Sequence, residues 1–77
     1  MAIAVKLRGD YSAAALRRLA ARTKNVNQSR RLLSLAAVQD GMNRTDAARI
    51  GGMDRQTLRD WVHRFNGHGP EGLKGTW

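Results

Sequence analysis

With 77 residues the chain has room for one small core and no second domain. Fourteen Lys and Arg against six Asp and Glu leave a formal charge of +8, which suits a polyanionic partner, although a solvated basic surface kept for solubility fits the same numbers. Eleven of the fourteen bases are arginine, whose planar fork matches phosphate oxygens and the guanine edge and so favours nucleic acid, while the lack of cysteine excludes disulfide frameworks and thiolate zinc sites.

The chain opens on Ile3, Val5 and Leu7, which alternate with Ala4 and Lys6 until Gly9-Asp10 ends the run. This predicts an extended N-terminal arm over residues 1–11. Such an arm could pair with a second copy to make a homodimer or lie in a DNA groove, though fraying is the commoner fate of a terminus. It is too short and too basic for a signal peptide or a membrane span, so a soluble cytoplasmic, nucleoid-associated protein with no membrane partner is expected.

From Ser12 the period changes. Three alanines and the spacing of Leu16, Leu19 and Ala20 predict a first helix to about Thr23, capped by Asp10 or Ser12, with Arg17, Arg18 and Arg22 on its other face. Asn27 is the expected cap of a second helix running through Gln39, with Leu32, Leu35, Ala36 and Val38 inward. Gly41 should stop it in the left-handed conformation, and Met42 should pack back on its last turn. Asn43, with Asp46 three residues on, opens a short third helix that Gly51-Gly52 must end. Asp54 caps a fourth helix, Arg55 to Asn66, whose Leu58, Trp61, Val62 and Phe65 fall at i, i+3, i+4 and i+7. Gly67, Gly69, Pro70, Gly72 and Gly75 predict an irregular tail or linker over residues 67–77, pinned by Leu73 or Trp77.

A short helix, a glycine turn and a second helix with a polar outer face make a helix-turn-helix, which reads the major groove. Ala47 and Ala48 let the two helices approach, Gly52 turns the chain, and Met53, Leu58 and Trp61 lock the angle. Arg55, Gln56, Arg59, Asp60 and His63 then face base edges. Arginine can bond guanine bidentately, glutamine adenine, and Asp60 can accept from cytosine or steer a neighbouring arginine. Arg44, Arg49, Thr57 and Arg64, together with Arg18 and Arg22 of the first helix, are the expected phosphate contacts. A helix-turn-helix usually carries an aliphatic residue where Gly51 stands. Either Ile50 supplies that packing from one position earlier, or the turn is slightly reshaped.

The run Arg30 to Leu73 contains Arg-Arg-Leu-Leu-Ser-Leu-Ala-Ala-Val from Arg30 and Thr-Asp-Ala-Ala-Arg-Ile-Gly-Gly-Met-Asp-Arg-Gln-Thr-Leu-Arg-Asp-Trp-Val-His-Arg-Phe-Asn from Thr45. It resembles the N-terminal domain of bacterial insertion-sequence transposases related to the mariner superfamily. The stretch from Leu7 to Ala20 is similar to the family's opening helix, and Phe65-Asn-Gly-His-Gly-Pro-Glu-Gly-Leu to the link to its second half. The resemblance implies a domain that binds the terminal inverted repeats of a transposon and positions a separate, magnesium-dependent catalytic domain with an acidic triad. No such triad stands in these 77 residues, so the chain is expected to be a fragment or truncated frame and no enzyme by itself.

Competing signals are weaker. His63 and His68 lack the cysteines or carboxylates of a metal site, Gly67-His68-Gly69-Pro70 is no phosphate loop, and neither a metal nor another cofactor is expected. Asp40, Asp46, Asp54 and Asp60 are mostly at helix ends, and Trp61 and Phe65 keep a core spacing rather than that of a single-strand stacking platform. The resulting expectation is an all-α, small four-helix domain with a homeodomain-like or paired-like helix-turn-helix over residues 12–66, binding double-stranded DNA sequence-specifically. A small transcriptional regulator, dimeric through Ile3, Val5 and Leu7, and a basic protein-interaction module are the alternatives.

Overall fold

The computed structural model describes residues 7–74, so Ile3, Val5 and Trp77 lie outside the described residues. Ser12 Oγ accepts from the Ala15 amide at 3.1 Å and starts α1, Ala13–Arg22. Leu16 and Ala20 are buried on its inner face and Leu19 is half-buried, as the spacing predicts. Helix α2, Val26–Gln39, begins two residues earlier than expected, because Asn25 rather than Asn27 is its cap: Asn25 Oδ1 accepts from the Gln28 amide at 3.0 Å. That start turns Gln28 inward, where its side chain accepts from the Thr23 hydroxyl and donates to the Pro70 carbonyl at 3.0 Å. Asn27 is left exposed in the first turn.

At the end of α2 the Gly41 amide bonds Val38 O and the Met42 amide bonds Ala37 O, with Gly41 at φ 91°. This is a Schellman closure. Only the Met42 backbone takes part in it, since the side chain is 41% exposed instead of packing back. Helix α3, Arg44–Ile50, is capped by Asn43, whose Oδ1 accepts from the Asp46 amide and whose Nδ2 donates to the Asp46 carboxylate, both at 2.9 Å. Helix α4, Arg55–His68, extends two residues beyond Asn66. Within its last turns Asn66 Oδ1 accepts from the Arg8 amide at 2.8 Å, which ties the start of the described chain to α4.

The expected tail is more ordered than its glycines suggest. Gly69–Leu73 form a 3-10 helix, and Leu73 is fully buried against the helices. A Cβ on Gly72 would lie 2.6 Å from the Arg64 carbonyl, so the segment sits closer to α4 than any other residue would permit. The arm's last residues are also packed. Leu7 is 5% exposed, its side chain taken into this chain's own core. Gln39 Nε2 donates to the carbonyls of Arg8 and Tyr11, and the Tyr11 ring meets Phe65 edge-on at 5.3 Å. One core of Leu, Ala, Val, Trp and Phe side chains joins all of these segments, with α2 packed against α1, α3, α4 and the 3-10 helix.

Candidate nucleic-acid interface

The link between α3 and α4 is set by backbone chemistry. Gly52 takes φ 71°, its amide bonds Arg49 O, and the Met53 amide bonds Ala48 O. A side chain there would be strained, which is why glycine occupies the turn. Gly51 has a different reason. It is buried at φ −90°, ψ 4°, and a Cβ on it would lie 2.3 Å from Ser34 Oγ and 2.8 Å from the Arg30 carbonyl. Ile50, the first of the two alternatives for this position, is 47% exposed and stays outside the buried core. Instead the α3–α4 turn rests its bare Cα directly on α2, and Ala47 and Ala48 are both buried beside it.

Asp54 fixes the start of α4, its Oδ1 accepting from the Thr57 amide at 2.7 Å. That hydrogen bond, first among the causes, holds the Asp54 carboxyl below the usual carboxylate range. At about 100° per residue, Arg55, Arg59, His63, Gln56 and Asp60 fall within an arc of roughly 140°, while Leu58, Trp61, Val62 and Phe65 fill the opposite one. Burial follows that division. The four apolar residues are buried, Arg55, Gln56, Arg59 and His63 are exposed, and Asp60 is half-buried at the edge of the arc. All five residues expected at base edges therefore share one helix face.

The residues expected at phosphates are more dispersed. Arg44 and Arg49 stand at the two ends of α3, half-buried and exposed respectively, and Thr57 is half-buried in the first turn of α4. Arg18 and Arg22 are exposed on α1, which among the described elements packs on α2 and not on α4. Arg64 is half-buried and engaged within the fold. Its Nε donates to the Gly72 carbonyl at 3.0 Å and its guanidinium lies 5.4 Å from the Trp61 ring centroid. Arg31 covers the same indole at 3.8 Å and donates to the Leu73 carbonyl at 2.8 Å. Two guanidiniums thus bracket Trp61 and tie the 3-10 helix to α2 and α4, a cation–π arrangement that adds to the burial of the ring. Nothing in the sequence marks Arg31 for this, as it reads like any solvated base beside Arg30. Among the described residues no group of three or more His, Cys, Asp or Glu is arranged to hold a metal, and no helix is long and apolar enough to cross a membrane.

An uncharacterized protein of Sinorhizobium fredii (strain NBRC 101917 / NGR234), y4pG/y4sC, is 60% identical over 73 residues, covering 95% of this chain. The chain spans only 38% of that relative's length. No solved structure matches it. The helix-turn-helix domain family matches residues 30–77, a stretch that takes in most of α2, all of α3 and α4, and the 3-10 helix. With the short helix, the glycine turn and the polar face of α4 in place, the chain belongs to the helix-turn-helix domain family and binds DNA through that motif.

Proposed function

We propose that the chain recognises a specific sequence in duplex DNA by laying α4 in the major groove, as the DNA-recognition part of a transposase that reads its element's terminal inverted repeats. The observation that carries the groove-reading part is the division of α4: Arg55, Gln56, Arg59 and His63 are exposed on one face, and Leu58, Trp61, Val62 and Phe65 are buried on the other. Arg55 and Arg59 supply bidentate donors for guanine, Gln56 suits adenine, His63 reaches one turn further, and Asp60 accepts from cytosine or orients Arg59. Arg44, Arg49 and Thr57 then stand near the flanking phosphates, with Arg18 and Arg22 reaching a more distant strand and Arg64, held on Gly72 and Trp61, adding positive charge from within the fold. The transposase assignment rests on the resemblance of Arg30 to Leu73 to the N-terminal domains of mariner-related insertion-sequence transposases.

Selection of binding sites from random duplex DNA tests this. The wild type should return one motif that matches inverted repeats flanking a transposon. Gln56→Ala and Arg59→Ala should each relax preference at particular base pairs, since a good bidentate contact discriminates by roughly 1 to 3 kcal/mol. Unchanged motifs from both variants would mean that α4 does not read bases, and a motif unrelated to any inverted repeat would remove the transposase assignment alone.

A further inference from the structure

An open cleft of about 200 Å3 lies where α2, the α3–α4 turn and α4 meet. Asn27, Arg30 and Arg31 line it from α2, Gly52 from the turn, and Thr57 and Trp61 from α4. Among the described residues two arginines and no carboxylate line this space, and a concave wall of one sign concentrates the field that attracts a counter-ion. Arg31 is held in place over Trp61 by its bond to the Leu73 carbonyl, so its charge is a fixed part of the wall. Burial, and then the charge of nearby Arg64, push its guanidinium down from the usual range. Asn27 and Arg30 have exposed side chains at the rim, and Thr57 brings a hydroxyl from the first turn of α4.

The position of the cleft says which anion. Thr57 stands about 60° around α4 from Asp60, the last residue of the polar arc, so the cleft borders the face that points at the bases. A duplex that accepts α4 in its major groove carries its phosphates along the sides of that groove.

We infer that this cleft seats one backbone phosphate of the bound duplex, with Arg30 as the charged contact, Asn27 and Thr57 as hydrogen-bond donors, and Arg31 as fixed charge behind them. This rests on α4 being the groove-entering helix, and it adds the start of α2 to the DNA footprint. The contact supplies affinity without base preference, because a phosphate is the same at every step.

The test uses the full chain on its selected duplex and reads the slope of log K against log salt. Arg30→Gln should make the slope shallower by about 0.9, the contribution of one phosphate, and leave the selected motif unchanged. Arg30→Lys should keep the slope, and Lys74→Gln should too, because Lys74 is paired with Glu71 at 3.1 Å on the 3-10 helix. Arg30 is exposed, and the contact it offers Gly51 is through its backbone carbonyl, which substitution leaves in place, so all three variants should melt with the wild type. A wild-type slope and motif in Arg30→Gln would overturn the cleft assignment and leave the groove reading intact. Absence of salt-dependent duplex binding in the wild type would remove both. If inorganic phosphate at constant ionic strength raised the melting temperature of the wild type but not of Arg30→Gln, while the DNA slopes agreed, the cleft would be a free-anion site and the proposal would fail.

Discussion

Replacing Gly51 by alanine isolates the contact on which the approach of α3 to α2 depends. The backbone at φ −90°, ψ 4° is open to alanine, so no left-handed strain enters. By stiffening the unfolded chain, the substitution even gains about 0.4 to 1 kcal/mol. Against this stands the added methyl, 2.3 Å from Ser34 Oγ, 2.8 Å from the Arg30 carbonyl and 2.8 Å from Met53 Cε. Met53 Cε is the end of a flexible chain and can move away. The Arg30 carbonyl belongs to the α2 backbone and cannot, and overpacking of this kind costs about 1 to 3 kcal/mol. The net expectation is a loss of about 1 to 2 kcal/mol, which in a domain of this size lowers the melting temperature by roughly 4 to 16 °C. Ser34→Ala tests the cause as well as the size. Ser34 Oγ is buried and makes no hydrogen bond among the described residues, so its removal alone should be close to neutral or mildly stabilising. In the double variant it should recover part of the Gly51→Ala loss, leaving the share due to the Arg30 carbonyl. Thermal melts followed by circular dichroism give all four corners of that cycle. A Gly51→Ala protein that melts at or above the wild type would refute the close approach of the turn to α2.

Two further outcomes follow from the same geometry. Trp61→Ala should cost about 3 to 5 kcal/mol, because the ring is 3% exposed and both Arg31 and Arg64 rest on it; helical circular dichroism with an unchanged melting point would contradict the packing. Asp54 should stabilise the fold through its charge, and the sign is set by its lowered carboxyl: the contribution is complete above the ordinary carboxylate range and is lost as pH falls through the folded value. Asp54→Asn keeps an acceptor for the Thr57 amide but no charge, so it should melt below the wild type near neutral pH, with the gap closing in acid below a pH of about 3.9. A gap that persisted or widened in acid would show that the charge is not what stabilises the cap.

Much of the candidate interface was legible because it is written in short-range spacing. The polar and apolar faces of α4 depend on residues three and four apart, and the caps Ser12, Asn43 and Asp54 act within their own first turns, so local pattern and observed burial agree. Where a cap competed with a neighbour, spacing alone did not suffice. Asn25 and Asn27 are both good caps, and the choice fell to Asn25 because it turns Gln28 toward Thr23 and Pro70, the second of them 42 residues away. The glycine count of the last segment likewise argued for an irregular tail, since propensity carries no information about the Arg31, Arg64 and Gln28 side chains that hold its carbonyls.

The amino-acid sequence by itself determined an all-helical fold, its four helices, the glycine turn at Gly52 and the exposed polar side of α4, all properties of neighbours along the chain. Tertiary structure decided what those neighbours could not express. Gly51 is needed for what α2 places against it rather than for its own backbone angle, and Leu7 belongs to the core rather than to a free arm. Arg31 and Arg64 brace Trp61, while Arg30 and Asn27 of α2 come to stand beside Thr57 of α4. Each of these rests on groups far apart in the chain, whose proximity exists only once the helices have packed.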